Sequence, residues 1–299
     1  MAAMRVAITG ASGLVGSALA GSLTDDGHEV VRMVRRPARH TGEAEWRPES
    51  GYVDTGRLAG ADAVVHLAGA PIGPARWTRR YRRLLRESRI AGTRTLAVAL
   101  AGMDRPPPRL VSGSAVGYYG DTGAVRTGED GPRGRGFLAE LVADWEAATA
   151  PAEEAGLSVA HARTGVVLAR SGGLLGTLLP LFRLGLGARL GSGRQYISWI
   201  ALADAVGALR FLIERPDITG PVNLVAPEPV TNASYTRYVA RAVGRPAVLA
   251  VPGFAMRAAL GGFADEAALV SQRAVPERLS AERYSFRRPG LAGALSDIA

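Results

Sequence analysis

The chain of 299 residues has no cysteine and no lysine, and only four histidines: His28, His40, His66 and His161. Without cysteine there are neither disulfides nor thiolate metal sites, and the histidines lack ligand spacing, so no metal centre is expected. Long apolar runs are also missing. The first, Val6 to Ile8, is too short for a signal-peptide core. The richest later stretch, Gly172 to Gly193, is broken by Pro180, Arg183, Arg189 and many glycines. These absences predict a soluble, cytoplasmic protein that neither spans nor binds a membrane. The lysine gap bears on chemistry, because every basic residue is an arginine, which stays charged and does not pass on a proton.

What is present can bury a large core: 47% of residues are hydrophobic, and the length suits one nucleotide-binding domain with a smaller lobe. The formal charge of +9 is compatible with nucleic acid, an anionic small ligand or a plain compositional bias. Seven arginines crowd between Arg76 and Arg89. Arg79, Arg82, Arg83, Arg86 and Arg89 recur at helical spacing and read as a solvated helix face. No nucleic-acid module accompanies them, so the expected partner is a small-molecule substrate. Oligomeric state is left open, a homodimer included.

Strand and helix signals alternate through the first half, which predicts an α/β fold with a parallel sheet covered on both sides. Arg5–Thr9 reads as a strand, Leu14–Thr24 as a helix, and Glu29–Val34 as a strand. Asp62–Gly69 reads as a buried strand, Arg80–Leu100 as one long helix, and Arg109–Ser114 as a strand after Pro106-Pro107-Pro108. Phe137–Ala150 is helical and Ser158–Leu168 a further strand. After Ala169 the pattern changes to glycine-rich loops and apolar helices. The expected organisation is therefore a nucleotide-binding domain over 1–169 with a return segment near 201–226, and a small lobe from 170–200 and 227–299.

The strongest motif is Thr9-Gly10-Ala11-Ser12-Gly13-Leu14-Val15-Gly16, which joins the first strand to the first helix. Glycines at this spacing let backbone approach a pyrophosphate, and the helix N-terminus presents free N–H groups to it. The end of the second strand selects the dinucleotide. An acidic residue there holds the ribose 2′-OH of NAD, whereas arginine accommodates the 2′-phosphate of NADP. Here Arg35-Arg36 stand at that place and no carboxylate follows until Glu43, which predicts NADP(H).

Together with the strand ends Leu67-Ala68-Gly69 and Ser112-Gly113-Ser114, this spacing resembles the extended short-chain dehydrogenase/reductases. More narrowly, the chain resembles an atypical branch, the NAD-dependent epimerase/dehydratase-like family of YfcH type, also described as nucleoside-diphosphate-sugar epimerase-like. The matching segments are Leu67 to Ile72, Ser88 to Thr93, Ser112 to Gly120, Phe137 to Leu141 with Trp145-Glu146, Arg163 to Leu168, Gly191 to Gln195 with Trp199-Ile200, and Pro221 to Pro227. The resemblance implies a Rossmann doubly wound parallel sheet with a smaller mixed C-terminal lobe. It places the pyrophosphate over Gly10, Ser12, Gly13, Leu14 and Val15, the 2′-phosphate near Arg35 and Arg36, and the adenosine and ribose beside Leu67, Ala68 and Gly69. Ser112, Arg89 and Thr164 fall at positions also turned toward cofactor, although Arg89 and Ser112 equally suit surface and backbone-satisfying roles.

Ordinary members of the superfamily use a serine, a tyrosine that opens the following helix, and a lysine four residues later. The resemblance puts Phe137 and Leu141 at the last two positions, so the usual proton-transfer pair is absent. Free tyrosine has a pKa near 10, so roughly one in a thousand is ionised at pH 7, and use as a base needs a cation to activate it. A protonated tyrosine still donates. Carbonyl or alkene reduction by NADPH is thus favoured over oxidation or epimerisation, both of which need a base. The candidate donors are Ser114, Tyr118 and Tyr119 at the end of their strand. Gln195, Tyr196 and Trp199 are candidates to line the substrate side, Trp199 equally suiting a plain core position, and Glu140 is expected to face solvent. Two other readings stand beside the reductase: a catalytically silent NADPH-binding regulator and a nucleotide-sugar epimerase.

Overall fold

The structure, a computed structural model, describes residues 3–73 and 76–296. The expected domain bounds also run over residues 1, 2, 74, 75 and 297–299, which lie outside the described residues. The first half forms β1 (Arg5–Thr9), β2 (Glu29–Val34), β3 (Glu43–Arg47), β4 (Tyr52–Val53), β5 (Ala63–His66), β6 (Arg109–Ala115) and β7 (Ser158–Thr164). Then come β8 (Val166–Leu168), β9 (Ala188–Leu190), β10 (Tyr196–Ile197), β11 (Trp199–Ala201), β12 (Gly220–Leu224), β13 (Val230–Thr231) and β14 (Leu249–Val251). The main sheet runs β12-β7-β6-β5-β1-β2-β3-β4 and is parallel except for the β3–β4 edge. Strand order reverses between β1 and β5, so their C-terminal ends frame the crevice where open α/β sheets bind ligands.

The helices are α1 (Leu14–Asp25), α2 (Arg79–Arg86), α3 (Gly92–Ala101), α4 (Phe137–Ala147), α5 (Ala150–Glu154) and α6 (Gly173–Arg183). They continue with α7 (Leu202–Glu214), α8 (Asn232–Ala242), α9 (Gly253–Leu260), α10 (Glu277–Ala281) and α11 (Leu291–Ser296). Leu19 and Leu23 of α1 and Leu209 and Leu212 of α7 pack on one face of the sheet, against Val6, Ile8, Val65 and Leu224. Leu96 and Leu100 of α3 cover the other, against Ala7, Val31, Val64 and Leu110. Each such side chain contributes about 1.5–3 kcal/mol on burial. The small lobe has its own core around Trp199, Leu175, Phe182, Tyr235 and Val239, framed by three two-stranded sheets of mixed direction. Among the described residues, no helix is long and apolar enough to cross a membrane, and no group of His, Asp or Glu could hold a metal ion.

Several elements differ from the reading of the sequence, the expected helix over 137–150 among them, which ends at Ala147. The expected helix over 80–100 is interrupted by a π-helical turn at Glu87–Ala91, whose extra residue swings Arg89 inward from the basic stripe and buries it. The expected strand over 158–168 breaks at Gly165. A Cβ there would lie 2.6 Å from the Ser198 carbonyl oxygen, so the chain turns out of the main sheet and β8 pairs with β11. The hairpin β3–β4 carries no clean alternation in sequence and was not anticipated.

At the crevice, Thr9 ties β1 to β5. Its Oγ1 accepts the amide protons of Leu67 at 3.1 Å and Ala68 at 3.2 Å, which ends β5 at His66 rather than at Gly69. With both amides donating, the hydroxyl's own proton points to His66 Nδ1 at 2.8 Å, and the ring N–H at Nε2 is buried without a partner. Burial pushes His66 down to about 4. The unfolded chain takes up this proton near 6.5, whereas the folded one refuses it until about 4, so stability falls as pH drops through that window. NMR of the His66 ring should show a neutral imidazole with its proton on Nε2 and no titration between about pH 8 and pH 5; a midpoint above pH 6 would overturn the assignment.

Candidate functional site

Three glycines shape the loop between β1 and α1, each for a different contact. Gly10 has φ +68°, and a Cβ there would come within 2.8 Å of the Leu67 backbone; at Gly16 a Cβ would stand 2.2 Å from the Gly10 carbonyl oxygen. Gly13 caps α1 without any side-chain hydrogen bond, and it and Ser12 are exposed, so the first amides of the helix face outward free. Leu14 and Val15 follow in the first turn, half-buried. Across the crevice lie Leu67, Ala68 and Gly69. Beneath Gly69 sits Arg89, whose Cζ would be 3.3 Å from a Cβ at that glycine. Arg89 is only 7% exposed and, among the described residues, has no carboxylate partner and leaves Nε without a hydrogen bond. Its guanidinium lies 5.1 Å from the Trp145 ring centroid. Burial lowers Arg89 to about 10, still charged at neutral pH. A buried, unpaired cation beside a glycine loop is suited to an anionic ligand.

The two arginines ending β2 separate. Arg36 closes on Glu43 with hydrogen bonds of 2.8 and 2.5 Å, and these, with the Arg39 amide, hold the Glu43 carboxyl down at about 2. Arg35 is exposed and makes no hydrogen bond or ion pair among the described residues. Sequence reasoning treated the pair as equivalent; the carboxylate that consumes Arg36 leaves Arg35 as the free guanidinium at this strand end.

A second cluster occupies the ends of β6 and β7. Gly113 and Gly117 allow α4 to approach closely: a Cβ at Gly113 would lie 3.2 Å from the Trp145 ring, and one at Gly117 3.6 Å from Leu138. Trp145 is locked by its indole N–H to Thr93 at 2.9 Å. That packing aims Glu146 at Ser114, which donates its hydroxyl proton to Oε1 at 2.5 Å. The same carboxylate takes two bonds from Arg163, both 2.8 Å, while Arg163 also donates to the Tyr119 hydroxyl at 3.0 Å and the Glu129 carbonyl at 3.2 Å. Burial works against the charge on Arg163, but the Glu146 carboxylate outweighs it and holds Arg163 above the ordinary arginine range.

The three candidate donors therefore differ. Tyr119 is buried and gives its proton to Asn223 Oδ1 at 2.8 Å; burial pushes it up to about 12. Ser114 commits its proton to Glu146. Tyr118 lies half-buried with its ring 3.6 Å from the Arg163 guanidinium and its hydroxyl without a partner among the described residues. Ser112 is fully buried and makes only a long bond to the Gly113 carbonyl, and Thr164 donates to the Ala162 carbonyl. Arg163, Glu146, Glu129 and Asn223 were missed as functional candidates. The signal was a charged residue inside an apolar strand, with glycines opposite a tryptophan on the next helix.

The two positions at which the resemblance puts the superfamily's tyrosine and lysine, Phe137 and Leu141, lie in core. Phe137 packs edge-on to Trp77 at 5.7 Å, and Trp77 to Phe263 at 5.5 Å, with Leu141 fully buried among them. Glu266 of the small lobe caps α4, accepting the amide protons of Phe137 at 3.0 Å and Leu138 at 3.1 Å. Glu140 is exposed. Of the residues expected to line the substrate side, Tyr196 borders the cavity of the small lobe and Gln195 a second, open pocket beside Gly191, Ser192 and Arg257. The Gln195 amide N–H groups reach the Leu190 and Ala268 carbonyls, while Trp199 is fully buried with its indole N–H on the Glu228 carbonyl and belongs to the core of the lobe.

Residues 6–225 match the profile of the NAD dependent epimerase/dehydratase family, and residues 251–298 match a domain of unknown function, DUF1731. Epimerase family protein Mb2239 of Mycobacterium bovis is 49% identical over 99% of this chain and 97% of its own length. Human epimerase family protein SDR39U1, crystallised with NADPH, superposes with a TM-score of 0.90 at 35% identity, covering 99% of both chains. A nucleoside-diphosphate sugar epimerase from Corynebacterium glutamicum gives 0.82 at 37% identity, over 99% of this chain and 58% of that one. The chain belongs to the NAD-dependent epimerase/dehydratase family.

Proposed function

We propose that this chain is an NADP(H)-dependent reductase of a small carbonyl compound or activated alkene, with Tyr118 as the proton donor. The observation that carries it is the Tyr118 hydroxyl: it alone among the three candidates keeps its proton uncommitted, at the strand end beside the crevice. The glycine loop, Arg89 and Arg35 fit an NADP-type dinucleotide, and NADPH in the human relative supports that reading. When bound, the nicotinamide supplies a hydride. The chain's own residues do the rest. Gly10 to Val15 would hold the pyrophosphate and Arg35 the 2′-phosphate, and Arg163 pins the Tyr118 ring while Glu146, itself held by Ser114, pins Arg163. With Phe137 and Leu141 in place of the usual pair, the tyrosine–lysine relay for the oxidative half of an epimerisation is missing, and the Arg163 charge beside Tyr118 is balanced by Glu146.

Titration of both dinucleotides by fluorescence or calorimetry should give clear preference for NADPH. Arg35→Asp should weaken NADPH roughly tenfold or more, since a charged hydrogen bond contributes on the order of 1.5–3 kcal/mol. Equal affinity for NADH in the unmodified protein would remove the cofactor assignment.

Screening aldehydes, ketones, quinones and enones for NADPH consumption tests the chemistry. In a positive reaction Tyr118→Phe should lose roughly 10²–10⁴-fold in rate with NADPH affinity retained, whereas Tyr119→Phe should mainly lower stability. A Tyr118→Phe variant at full rate would discard the donor, and efficient epimer formation from sugar nucleotides would discard the reductase. Tight NADPH binding with no turnover of any carbonyl would turn the reading toward a cofactor-sensing binder.

A further inference from the structure

The small lobe encloses a cavity of about 340 Å³ between α6, β9, β10, α8, α9 and the turn at Ala264–Ala268. It is within the range of small-molecule sites, about 300–1,000 Å³. Its position ties it to the crevice. Leu174, in its wall, follows Gly172 and Gly173, which pack on Leu14 of the glycine loop; Val166 follows the end of β7; and Phe263 belongs to the cluster that fills the vacated tyrosine position.

Two features define what it takes. In a chain with 36 arginines, no charged residue lines this cavity; the walls are leucine, valine, phenylalanine, methionine and alanine with a few neutral polar groups. A buried diphosphate would have no cation to meet there. Second, Tyr235 forms part of the wall, is 3% exposed, and has a buried hydroxyl with no hydrogen-bond partner among the described residues. An orphan hydroxyl of this kind costs stability unless something outside the chain accepts its proton. Burial keeps it firmly protonated, hence a donor.

We infer that this cavity receives the body of the substrate, an uncharged and largely apolar molecule whose carbonyl or ether oxygen accepts the Tyr235 hydroxyl proton. The inference rests on the reductase reading for its catalytic meaning. Binding itself is measurable without turnover.

The probe is prodan, an uncharged naphthyl ketone fluorophore, titrated into the full-length protein with and without NADPH. Saturable one-to-one binding with blue-shifted emission is expected. Tyr235→Phe should weaken it about tenfold, the loss of one hydrogen bond. Ala268→Phe, which fills the cavity, should abolish it. Both variants should bind NADPH as the unmodified protein does, which controls for folding. A neutral long-chain ketone should displace the probe and UDP-glucose should not. Absent binding, binding unaffected by either variant, or displacement by UDP-glucose each overturns the pocket. Prodan binding that obeys these variants while no carbonyl is reduced keeps the pocket and removes the reductase. Carbonyl reduction indifferent to Ala268→Phe does the reverse.

Discussion

Arg163 and Glu146 form an ion pair almost wholly removed from water, their side chains 4% and 11% exposed, and four parts of the molecule converge on it. Arg163 comes from β7, Glu146 from α4, Ser114 from β6, and the Glu129 carbonyl from the loop that crosses toward the small lobe. Each charge is desolvated, so removing either partner would leave the other buried and uncompensated, at a cost of about 3–5 kcal/mol. The geometry is correspondingly tight, with parallel bonds filling the guanidinium fork. Stacking on Tyr118 and bonding to Tyr119 are consequences of where that pair has been put.

The same region is packed where the resemblance puts the superfamily's proton-transfer pair. Phe137 opens α4 and Leu141 lines it, both in one apolar cluster with Trp77 and Phe263, and the helix is capped by Glu266 reaching across from the small lobe. Apolar residues at these two positions supply packing and carry no proton. Glu129 shows a related linkage. It accepts the Asn223 amide at 2.9 Å and the Arg278 amide at 3.3 Å, and burial raises its carboxyl. The loop over 120–135 thereby joins the last sheet strand to the start of α10. Cofactor domain and small lobe share polar contacts as well as a hydrophobic seam.

The parts legible in the sequence were those governed by local rules. Thr9 to Gly16 could be read because only glycine tolerates a positive φ at Gly10 and the near contact at Gly16, so the pattern and the geometry are one fact. β1, β2 and β6 followed from short apolar runs bounded by turn residues. Gly165 was legible as a glycine but not as a break, because its constraint is the Ser198 carbonyl, more than thirty residues later in the chain. Arg89 was read as one of a helical stripe; a π-helical turn has no sequence signature strong enough to show that the stripe loses register there.

Local sequence, by itself, determined the α/β alternation, the dinucleotide loop, the arginines at the end of β2 and the absence of any lysine. These depend on neighbours within one turn or one strand, where residue type and backbone conformation are coupled directly. Only the tertiary structure decided which arginine is free and which tyrosine keeps its proton. It also decided that Trp199 serves the lobe's interior, and that an uncharged cavity lies beside Tyr235. Those outcomes turn on carboxylates, carbonyls and side chains brought together from distant segments, and a hydroxyl's availability is set by whichever acceptor folding delivers to it.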